Sequence, residues 1–155
     1  MAEKHLLIVA HAPSENTLRM RAAALEGATS GDTSTVSVEA LSPFDAGPEQ
    51  ILKANAIILG TTENLGYMSG ALKDFFDRSY YPVLEEKQGL PYCLYIRAGN
   101  DGTGTRRGVE TITTGLRWRA VQEPLICRGE WDEAFVGQCA DLGAAMAAGL
   151  DLGVF

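Results

Sequence analysis

The tightest constraint on this chain lies between Leu6 and Thr17. Five consecutive apolar residues, Leu6, Leu7, Ile8, Val9 and Ala10, run straight into a short polar turn, and a helical pattern follows. An apolar run that does not alternate suits a strand covered on both faces, as in a parallel sheet. Pro13, Ser14, Glu15, Asn16 and Thr17 supply turn and N-cap chemistry, and Leu18, Ala22, Leu25 and Ala28 recur at helical spacing. A strand that passes through a tight polar turn into a helix aims unpaired backbone N–H groups and a positive dipole end at one spot. Such a spot favours an anion, phosphate above all.

The rest of the chain repeats this unit. Gly27 to Asp32 reads as a turn, and Val36, Val38 and Ala40 alternate with Thr35, Ser37 and Glu39 as in a second strand. Ser42 to Pro48 is loop and Pro48 to Ala54 a short helix. Ala56 to Leu59 is a second fully apolar run ending at Gly60, followed by a polar loop from Thr61 to Met68. Ser69 to Arg78 then carries Leu72, Phe75 and Phe76 at helical spacing. Tyr80 to Pro91 is expected to be a long connection, Tyr92 to Arg97 a fourth strand, Ala98 to Gly108 a glycine-rich loop, and Val109 to Trp118 a helix. Val121 to Cys127 is a weaker strand whose Pro124 assigns it to an edge. Asp132 caps a last helix with Phe135, Cys139, Leu142 and Met146 in one apolar stripe.

Five strands separated by helices predict a three-layer α/β domain over residues 1–155, a five-stranded parallel sheet with helices on both faces. Its length, with 46% hydrophobic residues, suits one core and no second domain. Ligands of such sheets bind beyond the carboxyl ends of the strands, where the strand order reverses. Three loops qualify: Ala10 to Thr17, Thr61 to Met68 and Ala98 to Gly104. A formal charge of −7 with no basic face argues against nucleic acid. Cys93, Cys127 and Cys139 are odd in number and widely spaced, and they read as free thiols of a reducing cytoplasm. No metal-ligand spacing and no stretch of membrane-spanning length occurs, so neither a metal nor a membrane span is expected.

The loop HAPSENT resembles the phosphate loop of flavodoxins. GTTENLGYMSGALKDFFDR is similar to the segment after the third strand of NADPH-dependent FMN reductases and flavin-linked quinone reductases, and AGNDGTGTRRG resembles the loop that closes over the far side of their flavin ring. The resemblance implies a flavodoxin-like fold with strand order 2-1-3-4-5. It also implies FMN, with the phosphate at Ser14, Asn16 and Thr17 beside His11 and Glu15. The ring edge would meet Thr61, Thr62, Glu63, Asn64, Leu65 and Gly66, with Tyr67 or Leu65 against a ring face. The far side would be closed by Ala98, Gly99, Asn100, Asp101 and Gly102, where glycine lets the backbone approach a flat ligand. Two departures stand out: Ala12 sits where a flavodoxin often has a hydroxyl, and Glu15 brings a carboxylate near a dianion. Arg106 and Arg107 offer cations to a nicotinamide dinucleotide phosphate.

Other chemistries fit less well. Gly66-Tyr-Met-Ser-Gly70 is one residue off a nucleophile elbow, and both histidines, His5 and His11, precede it, so no hydrolase triad in the usual order forms. Gly99 to Gly104 lacks dinucleotide-fingerprint spacing and follows the fourth strand, not the first. Three readings therefore stand at this level: an NAD(P)H-dependent reductase of a flavin, quinone or similar small acceptor without an acid or base side chain; an electron carrier with a redox partner protein; and a flavin-free binding module. The apolar stretch Tyr80 to Leu84 suggests a homodimer.

Overall fold

The computed structural model describes residues 3–32 and 35–155. In chain order the elements are β1 (Lys4–Ala10), α1 (Glu15–Thr29), β2 (Val36–Leu41), α2 (Pro48–Lys53), β3 (Ala56–Asn64), β4 (Tyr67–Met68) and α3 (Gly70–Val83). They continue with β5 (Pro91–Ala98), α4 (Thr103–Gly115), β6 (Arg119–Ala120), β7 (Leu125–Arg128) and α5 (Ala134–Asp151).

The non-alternating runs are explained by the two faces they serve. Leu6, Ile8 and Ala10 of β1 point with Ile58, Cys93 and Tyr95 toward α1 and α5, where Met20, Cys139 and Met146 complete one core. Leu7 and Val9 point the other way with Ile57, Leu59, Leu94 and Ile96, onto Leu72, Phe75, Phe76 and Val109 of α3 and α4. Side chains alternate along a strand, so covering both faces requires both parities to be apolar.

The parallel order is β2-β1-β3-β5, with β6 and β7 both paired to β5. This is the expected order with its fifth strand in two pieces, broken between Val121 and Pro124. Proline cannot donate to a ladder, and here it interrupts an edge. The expectation of five strands becomes seven, because β3 also turns back on itself as the antiparallel β4.

Several boundaries differ from expectation. The turn expected at Gly27 lies inside α1: a Cβ there would overlap the carbonyl of Ala140, and one on Gly143 would overlap that of Ala24. The two helices thus cross almost backbone to backbone, and the glycines mark close approach rather than a bend. The stripe of α1 is also rotated from the expected one. Thr17, Met20, Ala24 and Ala28 are buried while Leu18 and Ala22 are exposed, because small residues let α5 in. The stretch expected to be a connection from Tyr80 is the last turn of α3, with Val83 buried, Tyr81 exposed and Pro82 near the helix end, where the chain soon leaves the helix. Among the described residues no helix is long and apolar enough to cross a membrane.

Candidate functional site

The loops after β1, β3 and β5 meet at the carboxyl rim of the sheet. The first is fixed by the N–H of His11, which donates to Gly60 O at 3.0 Å, and by Arg21, whose Nη1 donates to Ala10 O at 3.1 Å. Ser14 and Thr17 close a capping box: Ser14 N donates to Thr17 Oγ1 at 2.9 Å, and Thr17 N donates to Ser14 Oγ at 3.2 Å. Thr17 is buried and its hydroxyl donates to Ser14 O at 3.0 Å, which leaves Ser14 Oγ as the donor in its 2.8 Å contact with Thr17 Oγ1, so both hydroxyls are committed to the cap. The N–H groups of Glu15 and Asn16, in the first turn of α1, have no partner among the described residues. Asn16 is half-buried, and Glu15 is exposed, its carboxylate in solvent rather than buried in the loop. His11 lies edge-on to Phe44, ring centroids 6.5 Å apart. Partial burial, and then the positive charge of Arg21, hold its pKa below the ordinary 6.5.

The second loop is a hairpin rather than an irregular loop. Leu65 (φ 52°) and Gly66 (φ 76°) are both left-handed, the conformation of a two-residue type I′ turn, and Glu63 and Asn64 pair with Met68 and Tyr67. Thr61 is buried and accepts from Ser69 N at 3.0 Å, tying the strand to the start of α3. Thr62 Oγ1 donates to Asn64 Oδ1 at 2.8 Å. Leu65 is fully exposed at the tip. The ring of Tyr67 lies on Gly108 of α4, where a Cβ would overlap it, and a Cβ on Gly104 would overlap Gly66 O. Two glycines expected to be loop therefore belong to a helix face on which the hairpin rests.

Glu63 joins the second loop to the third. Its Oε1 accepts from Asn100 N at 2.8 Å and its Oε2 from Gly102 N at 2.9 Å. Gly102 has φ 73°, and a Cβ on it would sit 2.7 Å from Ile126 Cγ2, so both backbone geometry and space require glycine. Asp101 Oδ1 accepts from Thr103 N at 3.0 Å, and Arg128 Nε donates to Asp101 O at 2.7 Å. The N–H and hydroxyl of Thr103, with the Arg128 guanidinium, hold the Asp101 carboxyl below its ordinary range. Ala98 is buried at the root of this loop, whereas Gly99 and Asn100 are exposed.

No family model matches the chain. It is 27% identical over 111 residues to a flavodoxin of Aquifex aeolicus (strain VF5), a match that spans 72% of this chain and 59% of that protein. The structure of a flavodoxin from the domain Archaea superposes with a TM-score of 0.77 at 21% identity, covering 93% of this chain and 96% of that one. The fold is flavodoxin-like. The flavodoxin, WrbA-like protein from Agrobacterium tumefaciens also superposes, with a TM-score of 0.72 and 20% identity over 94% of this chain and 96% of that one.

On this flavodoxin-like frame the three loops singled out in the sequence come together, but some of their side chains serve the protein itself. Thr17 and Thr61 are structural, Glu63 spans two loops, and Tyr67 faces α4. Sequence reasoning missed Arg21, a full turn beyond the polar loop, and Tyr95, whose fully buried hydroxyl has no hydrogen-bond partner among the described residues and crosses Gly60. Burial pushes the Tyr95 phenol well up. The pairing of Gly60 with Tyr95 could have been found only from strand register. Sequence reasoning also missed Trp131, stacked between Arg19 and Arg97 at 5.7 and 5.8 Å.

Proposed function

We propose that this protein binds FMN across the three loops and uses it to pass reducing equivalents from NAD(P)H to a flavin, quinone or similar small acceptor. The observation that carries the reading is the convergence of those loops at the carboxyl ends of β1, β3 and β5, where the order reverses between β1 and β3. The first loop suits a phosphate: two unpaired N–H groups, the positive end of the 15-residue α1, and no carboxylate turned inward. The exposed hairpin tip at Leu65 and Gly66 and the exposed Gly99 and Asn100 of the third loop offer an apolar side chain and backbone groups to a flat ring at this rim. Bound FMN supplies a ring that accepts hydride and releases electrons. The chain's own work is then to bind, orient and shield it, with no side chain acting as acid or base. The whole of residues 1–155 acts as one domain, in the cytoplasm, where the buried Cys93, Cys127 and Cys139 remain thiols.

A second reading, an electron carrier docking on a partner protein, is favoured by the exposed Leu65 and Phe44 near the site and by the −7 charge. A third, a flavin-free module, is favoured by Glu63, which fills the N–H pair of the third loop. Titrating the protein with FMN and following flavin fluorescence tests the cofactor. Quenching at micromolar FMN supports both redox readings, and its absence favours the module. Stopped-flow mixing of the loaded protein with NADPH separates the other two, fast bleaching marking the reductase. A homodimer through Tyr81 on α3 would appear in sedimentation as twice the chain mass.

A further inference from the structure

Beside the third loop, on the flank of α4, Thr103, Arg106, Arg107 and Glu110 project from one helix face and meet Ile126 and Arg128 of β7 around an open cleft of about 350 Å³. The spacing 103, 106, 107, 110 places all four on the same side of the helix. Three of the chain's 13 Lys and Arg residues thus share one cleft in a protein of charge −7. Their internal neutralisation is incomplete. Arg106 Nε is paired with Glu110 at 3.2 Å, Arg128 spends its Nε on the carbonyl of Asp101, and Arg107 donates to no acceptor among the described residues. The Asp101 carboxylate nearby is already held by Thr103 N–H. The Nη groups of Arg106 and Arg128 and the whole fork of Arg107 remain available. Three guanidinium groups beside an apolar wall suit a phosphate ester better than a lone carboxylate.

We propose that this cleft is a second anion site, separate from the phosphate loop after β1, and that it holds a phosphate of the nucleotide that reduces the protein. The assignment to a reductant rests on the reading given above; the anion site itself does not. Two sources of the phosphate share this chemistry, the 2′-phosphate of NADPH and the pyrophosphate bridge common to NADPH and NADH. Because the arginines are exposed, their hold weakens with added salt.

The test uses the full chain. 2′,5′-ADP and inorganic pyrophosphate are titrated into the protein by calorimetry and by amide NMR, with wild type, Arg107→Gln and Arg128→Gln compared. The expected result is binding of at least one probe, with shifts at Thr103, Arg107 and Ile126, and affinity reduced about tenfold by each substitution, the loss of one guanidinium–phosphate pair. FMN affinity and the thermal midpoint of Arg107→Gln should stay at wild-type values, which shows that the variant folds. Preference for 2′,5′-ADP assigns the cleft to the 2′-phosphate, and equal losses on both probes assign it to the pyrophosphate. If neither probe binds, or binding is untouched by both substitutions, the site is refuted. If probes bind at the cleft while NADPH fails to bleach bound flavin, the reductase reading falls and the anion site stands.

Discussion

Replacing Glu63 by alanine removes one side chain and unties two loops at once. In the native protein its carboxylate accepts from Asn100 N at 2.8 Å and from Gly102 N at 2.9 Å, and nothing else in the described residues takes those N–H groups. Hydrogen bonds to a charged acceptor contribute about 1.5–3 kcal/mol each. Here Glu63 is half-exposed, and water can replace it at the exposed Asn100 but less well at the buried Gly102. The net loss is therefore near the value of one such bond, about 1.5–2 kcal/mol. For a domain of this size that lowers the thermal midpoint by roughly 3–8 °C. Locally it speeds exchange of the Gly102 amide about tenfold or more, since 1.4 kcal/mol is a factor of ten. Glu63→Gln keeps one acceptor and turns an N–H₂ toward the other donor, so its effect should lie between the two. Amide exchange followed by NMR reads this directly. If the Asn100 and Gly102 rates in Glu63→Ala match wild type, the clasp does not hold the third loop. FMN binding adds a second readout. Loops held apart at a fixed distance bind more tightly than loose ones, so the affinity should fall. A rise would mean that the carboxylate plugs the site, and the flavin-free module would gain.

Other perturbations separate packing from binding. Gly27→Ala and Gly143→Ala each drive a methyl into a carbonyl of the facing helix and should cost about 1–3 kcal/mol, read as a lowered urea midpoint. Gly108→Ala pushes the Tyr67 ring off α4, so a smaller stability loss should accompany a changed Tyr67 environment in aromatic NMR shifts. Ser14→Ala breaks the capping box at about 1 kcal/mol and should weaken FMN as well, because the first turn that presents the Glu15 and Asn16 N–H groups is loosened. His11 has a folded pKa below its ordinary 6.5, so the unfolded chain binds the proton more readily. Stability should therefore be unaffected by this group above pH about 7 and fall as pH drops through 6.5 toward the folded pKa, a slope that His11→Gln abolishes in urea titrations at several pH values.

The two cores were legible because the evidence for them is local: unbroken apolar runs in Leu6 to Ala10 and Ala56 to Leu59 mean two covered faces whatever surrounds them, whereas the strand order came from the resemblance. The loops were legible for the same reason, as each begins where such a run stops. What escaped was decided by partners far along the chain. Gly27 looks like a turn until Ala140 is known to face it, and the stripe of α1 could not be phased without α5. Gly104 and Gly108 look like a flexible loop until the hairpin is placed on them. Glu63 could be suspected of nearing a ring, but its two amide partners lie more than 30 residues downstream. The hairpin was missed because Leu65 takes a left-handed conformation that leucine rarely adopts, and no Asn-Gly pair announces the turn.

These placements give α4 an unusual division of labour, and that division bears on how the two proposed sites are connected. Thr105, Val109 and Thr113 anchor the helix to the core, Gly104 and Gly108 carry the hairpin, and Arg106, Arg107 and Glu110 face the open cleft. The helix starts where the Glu63 clasp ends, at Gly102. A flavin seated against the hairpin and the third loop would therefore press on elements carried by one side of a helix whose other side holds the arginines. The coupling this implies is reciprocal: whatever factor FMN exerts on anion affinity at the cleft, the anion must exert on FMN. Glu63→Ala, which loosens the third loop and the start of α4 without altering the phosphate loop, should reduce that mutual factor toward one; because the Asp101 carbonyl that holds Arg128 lies between the two freed amides, anion affinity in the flavin-free protein should fall, but less than in Arg128→Gln.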